Sequence, residues 1–293
     1  MHRSGFVNII GNPNVGKSTL MNALVGEKLS IITSKAQTTR HRIMGIVSGE
    51  DFQIVYSDTP GILKPSYKLQ ESMMKFVTGA LTDADVILYV TDTVEQSERS
   101  AEIVDSIRRS GIPTVVVINK IDLSTPEALE ALVDKWQAEI PGAQVVPTSA
   151  KENFNIEGLF RTILSLLPEG PAFYPKDTLT DKTLRFFASE IIREKILKFY
   201  DKEIPYCCEI EIESYKEEPA IDRIAATIYV ARDSQKGILI GHKGEKLKRV
   251  GQAAREDMEQ FLGKKVFLQL FVKVNDDWRN NERQLRRFGY ESE

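Results

Sequence analysis

The chain has 293 residues, a formal net charge of −3 and an ordinary balance of apolar and charged residues. This length predicts two domains, and the slight acidity confines any nucleic-acid-binding surface to a local patch. No apolar stretch reaches the roughly 18 residues of a membrane span, and the N-terminus MHRSGFVNII lacks the features of a signal peptide. The two cysteines, Cys207 and Cys208, are adjacent and unsuited to bonding each other, which favours a reducing compartment. We therefore expect a cytoplasmic protein, with peripheral membrane contact left open.

Residues 6 to about 167 alternate β-rich runs with helical patterns. The strand-like runs show no polar alternation, which is typical of strands covered by helices on both faces of a sheet. This order predicts a doubly wound α/β domain. The predicted strands are FVNII, FQIVYSD, DVILYVTD, TVVVIN and AQVVPTS, and the predicted helices include KSTLMNALVG, YKLQESMMKFVTGALTD, SAEIVDSIRRSG, EALEALVDKWQAE and IEGLFRTILSLL.

A phosphate-binding loop follows the first predicted strand. GNPNVGKS, residues 11–18, fits the pattern G-x-x-x-x-G-K-[ST] and opens a predicted helix, which is the context this motif requires. Its glycines let backbone N–H groups point at phosphate oxygens, and the helix N-terminus adds partial positive charge. We expect Lys17 to contact the β- and γ-phosphates and Ser18 to ligate Mg²⁺. The predicted nucleotide-binding residues here are Gly11, Asn12, Pro13, Asn14, Val15, Gly16, Lys17, Ser18 and Thr19.

A second phosphate-side motif, DTPG, follows the strand FQIVYS. Asp58 is placed to hold Mg²⁺ through a water, and the Gly61 N–H is placed to meet the γ-phosphate. Taken alone, the motif reads equally well as a Pro-Gly turn. With the phosphate loop in place, the residues predicted to bind the nucleotide are Asp58, Thr59, Pro60 and Gly61.

Two later motifs indicate that the base is guanine. NKID follows the strand TVVVI, and its aspartate can accept hydrogen bonds from both the N1–H and the 2-amino group of guanine, an edge that adenine lacks. A mismatched base would leave that carboxylate unsatisfied, which makes such a site selective. SAK follows the strand AQVVPT and is placed to line the same base. The predicted residues are Asn119, Lys120, Asp122, Ser149, Ala150 and Lys151.

These four motifs, in this order and each at a strand end, resemble those of Ras-like GTPases of the translation-factor type. The resemblance implies a switch segment before Asp58 whose threonine ligates Mg²⁺; Thr39 is preferred, with Thr38 a close rival. It also shows a departure, since Ile62 follows Gly61 where Ras-like enzymes carry a water-positioning glutamine. Because isoleucine can neither orient nor polarise water, we expect slow intrinsic hydrolysis. In relatives with this form of loop, the residue matching Asn14 helps to hold a potassium ion, so we also expect potassium activation.

The metal ligands expected from these motifs and this resemblance are Ser18, Thr39 and Asp58, and the residues expected to take part in hydrolysis are Asn14, Lys17, Thr39 and Gly61.

A Pro-rich stretch separates this domain from a second pattern of elements. Residues 171–182 predict a linker between a GTPase domain at 1–170 and a domain at 183–293. The second pattern is helix, strand, strand, helix, helix, strand, and is predicted to be a smaller α+β domain, followed by a polar, basic tail with a short helix. Trp278 and the tail arginines are read either as an extension of an RNA surface or as a solvated terminal helix.

The loop GHKG, residues 241–244, lies between the two helical patterns of the second domain. A G-x-x-G loop between two helices is how a KH module clamps about four nucleotides of single-stranded backbone. Basic residues surround the loop, with Glu245 opposing, although a helix corner with a solvated lysine face would look similar. The predicted RNA-binding residues are Lys236, Ile240, Gly241, His242, Lys243, Gly244, Lys246, Lys248 and Arg249.

A Ras-like domain joined to a C-terminal KH domain (type II) resembles the Era family of bacterial GTPases. The stretches GNPNVGKSTL, SKAQTTRHRIMGI, DTPGI, NKID, ASEIIREKI and GHKG carry this resemblance, which covers nearly the whole chain. It implies GTP and GDP as ligands, Mg²⁺ as cofactor, binding to the 3′ end of small-subunit (16S) ribosomal RNA, a role in 30S subunit assembly and rRNA maturation, and peripheral association with the inner membrane. We expect a monomer.

Other function classes fit the sequence less well. A nucleotide kinase would need an acceptor site rather than the guanine-selective NKID motif, a membrane-remodelling GTPase would carry a transmembrane or strongly amphipathic segment, and a passive RNA scaffold would not retain Lys17, Ser18 and Asp58 together.

Overall fold

The computed structural model describes residues 2–94 and 101–290. The chain forms two compact units that divide between Asp181 and Lys182. The helix predicted to begin at Ser100 is seen from Ala101 onward, and Ser100 itself, like the extreme ends of the predicted domains, lies outside the described residues. Each unit has its own hydrophobic core.

The first unit alternates strands and helices as the sequence predicts. Its described elements are β1 (Arg3–Gly11), α1 (Lys17–Val25), β2 (Ile43–Ser48), β3 (Phe52–Asp58), α2 (Lys68–Thr82), β4 (Val86–Asp92), α3 (Ala101–Ser110), β5 (Thr114–Asn119), α4 (Pro126–Glu139), β6 (Gln144–Pro147) and α5 (Ile156–Leu166).

The described strands of this unit form one sheet in the order β2-β3-β1-β4-β5-β6. All neighbouring pairs are parallel except β2 with β3. Every residue of β4 and β5 is buried, because α2, α3 and α4 cover one face of the sheet and the opposite face is covered as well. Parallel register aligns the strand ends, pairing Gly11 with Val90 and Asp92 with Asn119, so the predicted motifs meet at one edge.

The strand β2 was not predicted. In the sequence IMGIVS at 43–48, a glycine interrupts a short apolar stretch. The stretch therefore shows neither the polar–apolar alternation of a half-exposed strand nor the continuous apolar run of a buried one. Tertiary pairing decides the outcome: β2 runs antiparallel to β3 from Ile43 opposite Asp58 to Ser48 opposite Gln53.

The residues predicted as a linker are fixed to the first unit up to Asp181. The Ile46 N–H donates to the Leu179 carbonyl at 2.8 Å, the Thr180 hydroxyl donates to the Met44 carbonyl at 2.6 Å, and the Met44 N–H donates to Asp181 Oδ1 at 3.0 Å. Residues 179–181 of this linker segment (171–181) are therefore hydrogen-bonded to the outer edge of β2, because that edge offers backbone groups without a strand partner.

The second unit follows the predicted order of helix, strand, strand, helix, helix, strand. The short helix predicted in the tail is present, and one further short helix, at 204–207, was not predicted. Its described elements are α6 (Leu184–Phe199), α7 (Ile204–Cys207), β7 (Glu209–Glu217), β8 (Ile221–Val230), α8 (Asp233–Ile240), α9 (Glu245–Leu262), β9 (Lys265–Val274) and α10 (Glu282–Arg287).

The described strands of the second unit form a sheet in the order β7-β8-β9, with β7 antiparallel and β9 parallel to β8. Apolar residues of α6, α8 and α9 pack on the face that carries Ile224, Ile228 and Val266. The strand predicted from Tyr206 begins at Glu209 instead, because the preceding residues form α7. Cys207 and Cys208 are both buried free thiols.

The tail packs through its apolar residues, while the charged side chains of α10 stay exposed. Trp278 is completely buried, its indole N–H donates to the Cys207 carbonyl at 3.0 Å, and the Phe288 ring meets it edge-on at 5.7 Å. The alternative in which Trp278 extends an RNA surface is therefore wrong. Such burial was not visible in a polar stretch with isolated aromatic residues.

No helix among the described residues has the length and apolar character needed to cross a membrane.

Replacing Trp278 tests the packing of the tail. Trp278→Ala removes a fully buried ring and leaves the Cys207 carbonyl without its donor, so we expect a loss of about 3–5 kcal/mol in unfolding free energy. Urea denaturation followed by circular dichroism measures this. Arg283→Ala, at an exposed position of α10, is the control and should change stability by less than about 0.5 kcal/mol. Similar small effects from both changes would contradict the packing role.

Candidate functional site

The phosphate loop connects the end of β1 to the start of α1. Gly16 has φ 97°, and a Cβ there would lie 2.2 Å from Asn119 Nδ2, so only glycine fits. The loop is thereby drawn against β5, and the free N–H groups that open α1 face the cleft. Pro13, Asn14, Gly16, Lys17, Ser18 and Thr19 line a cleft of about 360 Å³.

Lys17 is buried and folds back over the loop. Its Nζ donates to the carbonyls of Gly11 at 3.0 Å and Asn12 at 2.8 Å. An ammonium held this way is a fixed positive charge at the place where the β- and γ-phosphates of a nucleotide would lie.

Oxygen ligands from three segments converge beside Lys17. Ser18 Oγ donates to Asp58 Oδ2 at 2.7 Å and lies 2.9 Å from Thr39 Oγ1, which is itself 3.3 Å from Asp58 Oδ2. Burial raises the pKa of the Asp58 carboxyl, and the Lys17 ammonium opposes that rise. The other oxygen, Asp58 Oδ1, is buried and accepts no hydrogen bond from the described residues. A cluster of oxygen donors with an unused carboxylate oxygen fits Mg²⁺.

The two candidate switch threonines point in different directions. Thr39 joins the Ser18–Asp58 cluster, whereas Thr38 Oγ1 lies 2.6 Å from Thr33 Oγ1 and donates to the Lys35 carbonyl at 2.6 Å. The geometry favours Thr39 over Thr38 as the metal ligand. Residues of the same segment that sequence reasoning missed complete the cleft wall; they are Ile31, Ile32, Thr33, Ser34, Lys35 and Gln37.

Residues of the DTPG motif divide between the cleft and the core. Gly61 lines the cleft, where an added Cβ would lie 2.8 Å from the Pro13 Cα. Thr59 is fully buried and its hydroxyl donates to the Ile9 carbonyl at 2.7 Å, so its side chain supports β1 rather than facing the cleft. Pro60 is buried as well. Ile62 packs in the core beneath α2 and offers no polar group to a water.

The base-recognition motifs meet at the other end of the phosphate loop. Asn119 is buried, its Nδ2 donates to the Val15 carbonyl at 2.9 Å and its Oδ1 accepts the Ala150 N–H at 3.0 Å. The Ser149 hydroxyl donates to Asp122 Oδ1 at 2.6 Å, which fixes the carboxylate that would read guanine. These hydrogen bonds fix the segments that follow β5 and β6 relative to the phosphate loop.

Lys120 ties the base motif directly to the phosphate loop and also pairs with a residue that was not predicted. Its Nζ donates to the Asn14 carbonyl at 2.6 Å and forms a 2.6 Å ion pair with the buried Asp92. Asp92 ends β4 at the same sheet edge, so its strand-end position was the signal that could have found it. Lys151 is exposed and its ammonium pairs with Glu152 at 3.0 Å. The aliphatic part of the Lys151 side chain can therefore lie over a base.

The G-x-x-G loop of the second unit joins α8 to α9. Gly241 has φ 73° and Gly244 has φ 80°, and nothing lies within 4 Å of the position that a Cβ on Gly244 would take. His242 and Lys243 between them are exposed. The loop therefore leaves room for a phosphodiester backbone to approach its N–H groups closely.

The predicted basic flank is held in place by aromatic residues of the domain core. The Arg249 guanidinium lies 4.4 Å from the Phe199 ring centre and Lys246 Nζ lies 5.9 Å from that of Tyr200. Tyr200 is buried and donates to the Leu239 carbonyl at 2.6 Å, and burial raises its pKa to about 12. Lys248 is exposed beside them, while Lys236 and Ile240 on α8 are partly buried.

Comparisons with known proteins identify the family. One family model, described as a 50S ribosome-binding GTPase, matches residues 6–120, and another, described as a KH domain, matches residues 203–279. GTPase Era of Staphylococcus haemolyticus (strain JCSC1435) is 45% identical over 291 residues, spanning 99% of this chain and 97% of that protein. The chain belongs to the Era family of GTPases. GTPase Era of Alkaliphilus metalliredigens (strain QYMF) is 46% identical over 293 residues, spanning 99% of both.

Two solved structures of the family agree with the fold along its whole length. Era in complex with MgGDPNP and nucleotides 1506–1542 of 16S ribosomal RNA superposes with a TM-score of 0.95 at 40% identity, covering all of both chains. A variant of Aquifex aeolicus Era bound to GDP·AlF4⁻ gives 0.95 at 40% identity, covering 99% of this chain and all of that one. These matches confirm the predicted order of a P-loop GTPase domain followed by a KH domain, and this Era-family chain is a GTPase.

Changing the base-reading carboxylate should change nucleotide preference. In Asp122→Asn, the amide can donate to the O2 of xanthine but cannot accept both guanine N–H groups, so we expect GTP affinity to fall roughly 100-fold and XTP affinity to rise. Competition against a fluorescent nucleotide measures both. Glu130→Gln, at an exposed position of α4, is the control and should bind GTP as the wild type does. Unchanged GTP preference in Asp122→Asn would show that Asp122 does not read the base.

Proposed function

We propose that this GTPase is a nucleotide-controlled switch that binds the 3′ end of small-subunit (16S) ribosomal RNA and acts in 30S subunit assembly and rRNA maturation. The observation that carries the proposal is the presence, in one chain, of a complete guanine-nucleotide cleft and an open G-x-x-G loop flanked by lysines. A family member that matches the full length was solved with a GTP analogue and 16S rRNA nucleotides together, which supports the use of both sites.

The choice of the small subunit rests on the KH domain. The family model that names the 50S subunit covers only residues 6–120, which form part of the GTPase domain. The relative that contains 16S rRNA matches this chain over both units. Because RNA recognition resides in the KH domain and not in the shared GTPase domain, the full-length match is the stronger guide.

The proposed nucleotide-binding residues are those of the four motifs. Lys17 and the N–H groups that open α1 hold the β- and γ-phosphates, the Gly61 N–H meets the γ-phosphate, and Asp122 reads guanine. The donor set described above fits Mg²⁺, with Ser18 and Thr39 as direct ligands and Asp58 acting through a water. When bound, Mg²⁺ supplies charge that neutralises the phosphate oxygens.

The hydrolysis chemistry proposed here lacks a glutamine. Because Ile62 is packed in the core, it cannot orient the attacking water, and a slow intrinsic rate follows. Asn14 is exposed at the cleft with φ 66°, its carbonyl is taken by Lys120, and its side-chain amide has no partner among the described residues. We assign that amide to a potassium ion, whose charge would substitute for an arginine finger.

The remaining expectations concern place and partners. Two buried free thiols fit a reducing, cytoplasmic setting. Peripheral association with the cytoplasmic face of the membrane stays a prediction that follows from the resemblance alone, and a monomeric state stays a prediction as well.

Potassium dependence tests the role of Asn14. We expect GTP hydrolysis to run faster in KCl than in NaCl, and Asn14→Ala to lower the KCl rate roughly 10- to 100-fold, to the NaCl level. Asn153, another exposed asparagine with positive φ, is the matched control, and Asn153→Ala should keep the potassium effect. Equal wild-type rates in the two salts would refute potassium activation.

Acidic residues in the G-x-x-G loop test RNA binding. The double change His242→Asp with Lys243→Asp places two carboxylates where phosphates approach, so we expect affinity for an RNA matching 16S nucleotides 1506–1542 to fall at least roughly 10-fold. Fluorescence anisotropy at one fixed salt concentration measures this, with a scrambled RNA for comparison.

The control for that change is Lys135→Asp, a charge reversal on the exposed face of α4, which should bind RNA as the wild type does. GTP affinity should be the same in all three proteins. Wild-type binding that does not distinguish the 16S segment from the scrambled RNA would overturn the proposed target, and an unaffected loop variant would overturn the loop assignment.

A further inference from the structure

One asparagine of α1 anchors the start of the switch segment, residues 31–41. Asn22 Oδ1 accepts the Leu29 N–H at 3.0 Å and the Ser30 N–H at 2.9 Å, and Asn22 Nδ2 donates to the Ser30 carbonyl at 2.8 Å. A single carboxamide thus binds both the N–H and the carbonyl of the residue that precedes the segment. Asn22 belongs to none of the four nucleotide motifs, so those motifs do not explain this arrangement.

Apolar packing strengthens the anchor. Leu29, next to Ser30, is almost fully buried. The side chains of Met21, Val25 and Leu29 converge on Gly45 of β2, where an added Cβ would lie 2.8 to 3.0 Å from an atom of each of them. The glycine that interrupts the apolar stretch of β2 therefore allows this strand to pack closely against the anchored residues.

Ser30 brings the anchor close to the predicted metal ligands. Its side chain is buried, and its hydroxyl lies 3.9 Å from the Met21 sulfur. Burial raises the pKa of the Asp58 carboxyl, and the Ser30 hydroxyl, like the Lys17 ammonium, opposes that rise. Ser30 therefore lies near the carboxylate that Thr39 also contacts, at the opposite end of the segment.

A second anchor holds the far end of the segment. The Arg42 guanidinium donates to Asp83 at 2.5 Å, to Ser57 Oγ at 2.6 Å and to Asn8 Oδ1 at 3.1 Å. These partners lie on β3, on β1 and in the turn after α2. The switch segment therefore runs between two points that are fixed to the body of the GTPase domain.

Between its anchors the segment is folded on itself. Thr38 Oγ1 lies 2.6 Å from Thr33 Oγ1, which also accepts the Lys35 N–H at 3.1 Å. Gln37 has a left-handed backbone with φ 58°, and Thr39 contacts the Ser18–Asp58 cluster. A compact loop with fixed ends moves about those ends, and the residues at the ends act as hinges.

We propose that Asn22 is a positioning residue for the nucleotide reaction: it holds Ser30 as the fixed hinge about which the switch segment closes over a γ-phosphate. Without this clamp, residues 27–30 would be freer in the open form and would have to be ordered at each closure, at a cost in backbone entropy. The closed form would then be less populated, and the affinity of a ligand that requires it would fall by the same factor. This inference rests on the proposed function, because it takes the segment to respond to the γ-phosphate.

The first test compares two nucleotides on the full-length protein. We expect Asn22→Ala to lower the affinity for GDPNP roughly 10-fold and to change the affinity for GDP by less than about 2-fold, because GDP offers no γ-phosphate to the closed segment. Competition against a fluorescent nucleotide at saturating Mg²⁺ measures both affinities. The ratio of the two affinities is the decisive quantity, because a general loss of stability lowers both.

Gln53 offers a matched control, because its carboxamide makes the same pattern of bonds elsewhere in the domain. Its Oε1 accepts the N–H groups of Phe173 at 2.7 Å and Tyr174 at 2.9 Å, and its Nε2 donates to the Tyr174 carbonyl at 2.8 Å. Gln53→Ala therefore removes a carboxamide clamp from the linker segment and not from the switch segment. We expect it to lower the melting temperature and to leave the ratio of GDPNP to GDP affinity at the wild-type value.

A second measurement needs no variant. Hydrogen exchange resolved to single amides in the wild type should show the Leu29 and Ser30 amides protected with either nucleotide, because Asn22 accepts both of them. Amides within residues 31–41 should gain protection with GDPNP and not with GDP. The boundary between these two behaviours locates the hinge.

The possible outcomes separate this inference from the proposed function. If the wild-type segment gains no protection with GDPNP, the proposed switch fails and the hinge fails with it. If the wild-type segment gains protection but Asn22→Ala keeps the wild-type affinity ratio, the hinge alone is overturned. Equal losses of GDP and GDPNP affinity in Asn22→Ala, or a GDPNP-specific loss in Gln53→Ala as well, would also overturn it, since the effect would then reflect stability in general.

Discussion

The site depends on the meeting of three oxygens at the Asp58 carboxylate. Ser18 comes from the phosphate loop, Thr39 from the switch segment and Asp58 from the end of β3, and they lie within 3.3 Å of one another. These atoms belong to separate stretches of chain that only the parallel sheet brings together. We propose that an ion held among these oxygens would fix the position of the switch segment over the cleft, and that the site would read the γ-phosphate in this way.

The contacts that follow the switch segment lead away from the cleft. The Arg42 guanidinium donates to Asp83 at 2.5 Å, to Ser57 Oγ at 2.6 Å and to Asn8 Oδ1 at 3.1 Å, so the end of the segment is tied to β1, β3 and the turn after α2. The next residues form β2, on which the linker segment lies. We propose these contacts as the route from nucleotide state to the linker. The coupling itself would be measured as the difference in RNA-binding free energy between the two nucleotide states.

The sequence was sufficient to predict the position of a residue where the chemistry of its motif and the order of the surrounding strands and helices indicate the same place. The strand-end positions of Asp58 and Asn119, and the position of Lys17 at the start of the helix after β1, followed from the alternation of strands and helices, because parallel strands align their carboxyl ends. The G-x-x-G loop followed in the same way from the helices on either side. Features that depend on distant pairing were missed: β2 forms because β3 offers it an edge, and Asp92 acquires its role only when β4 and β5 bring it to Lys120.

The linker segment and the tail show the same limit. Prolines and irregular polarity indicate a linker, yet hydrogen bonds to Met44 and Ile46 fix this one along β2. The tail has the composition of a solvated helix, yet Trp278 is fully buried beside Phe288. In both cases the partner lies more than 60 residues away, at Met44 for Thr180 and at Cys207 for Trp278, so no local pattern could reveal it.

The most direct measurement is the affinity of the full-length protein for the 16S 3′-end RNA in two nucleotide states, with GDP and with a non-hydrolysable GTP analogue, at one salt concentration. A switch requires that the two affinities differ, and we expect the analogue to tighten RNA binding at least about 5-fold. By reciprocity, the RNA should tighten binding of the analogue by the same factor. Equal RNA affinity in both states would show that the cleft and the KH domain are independent modules, which contradicts a nucleotide-controlled switch.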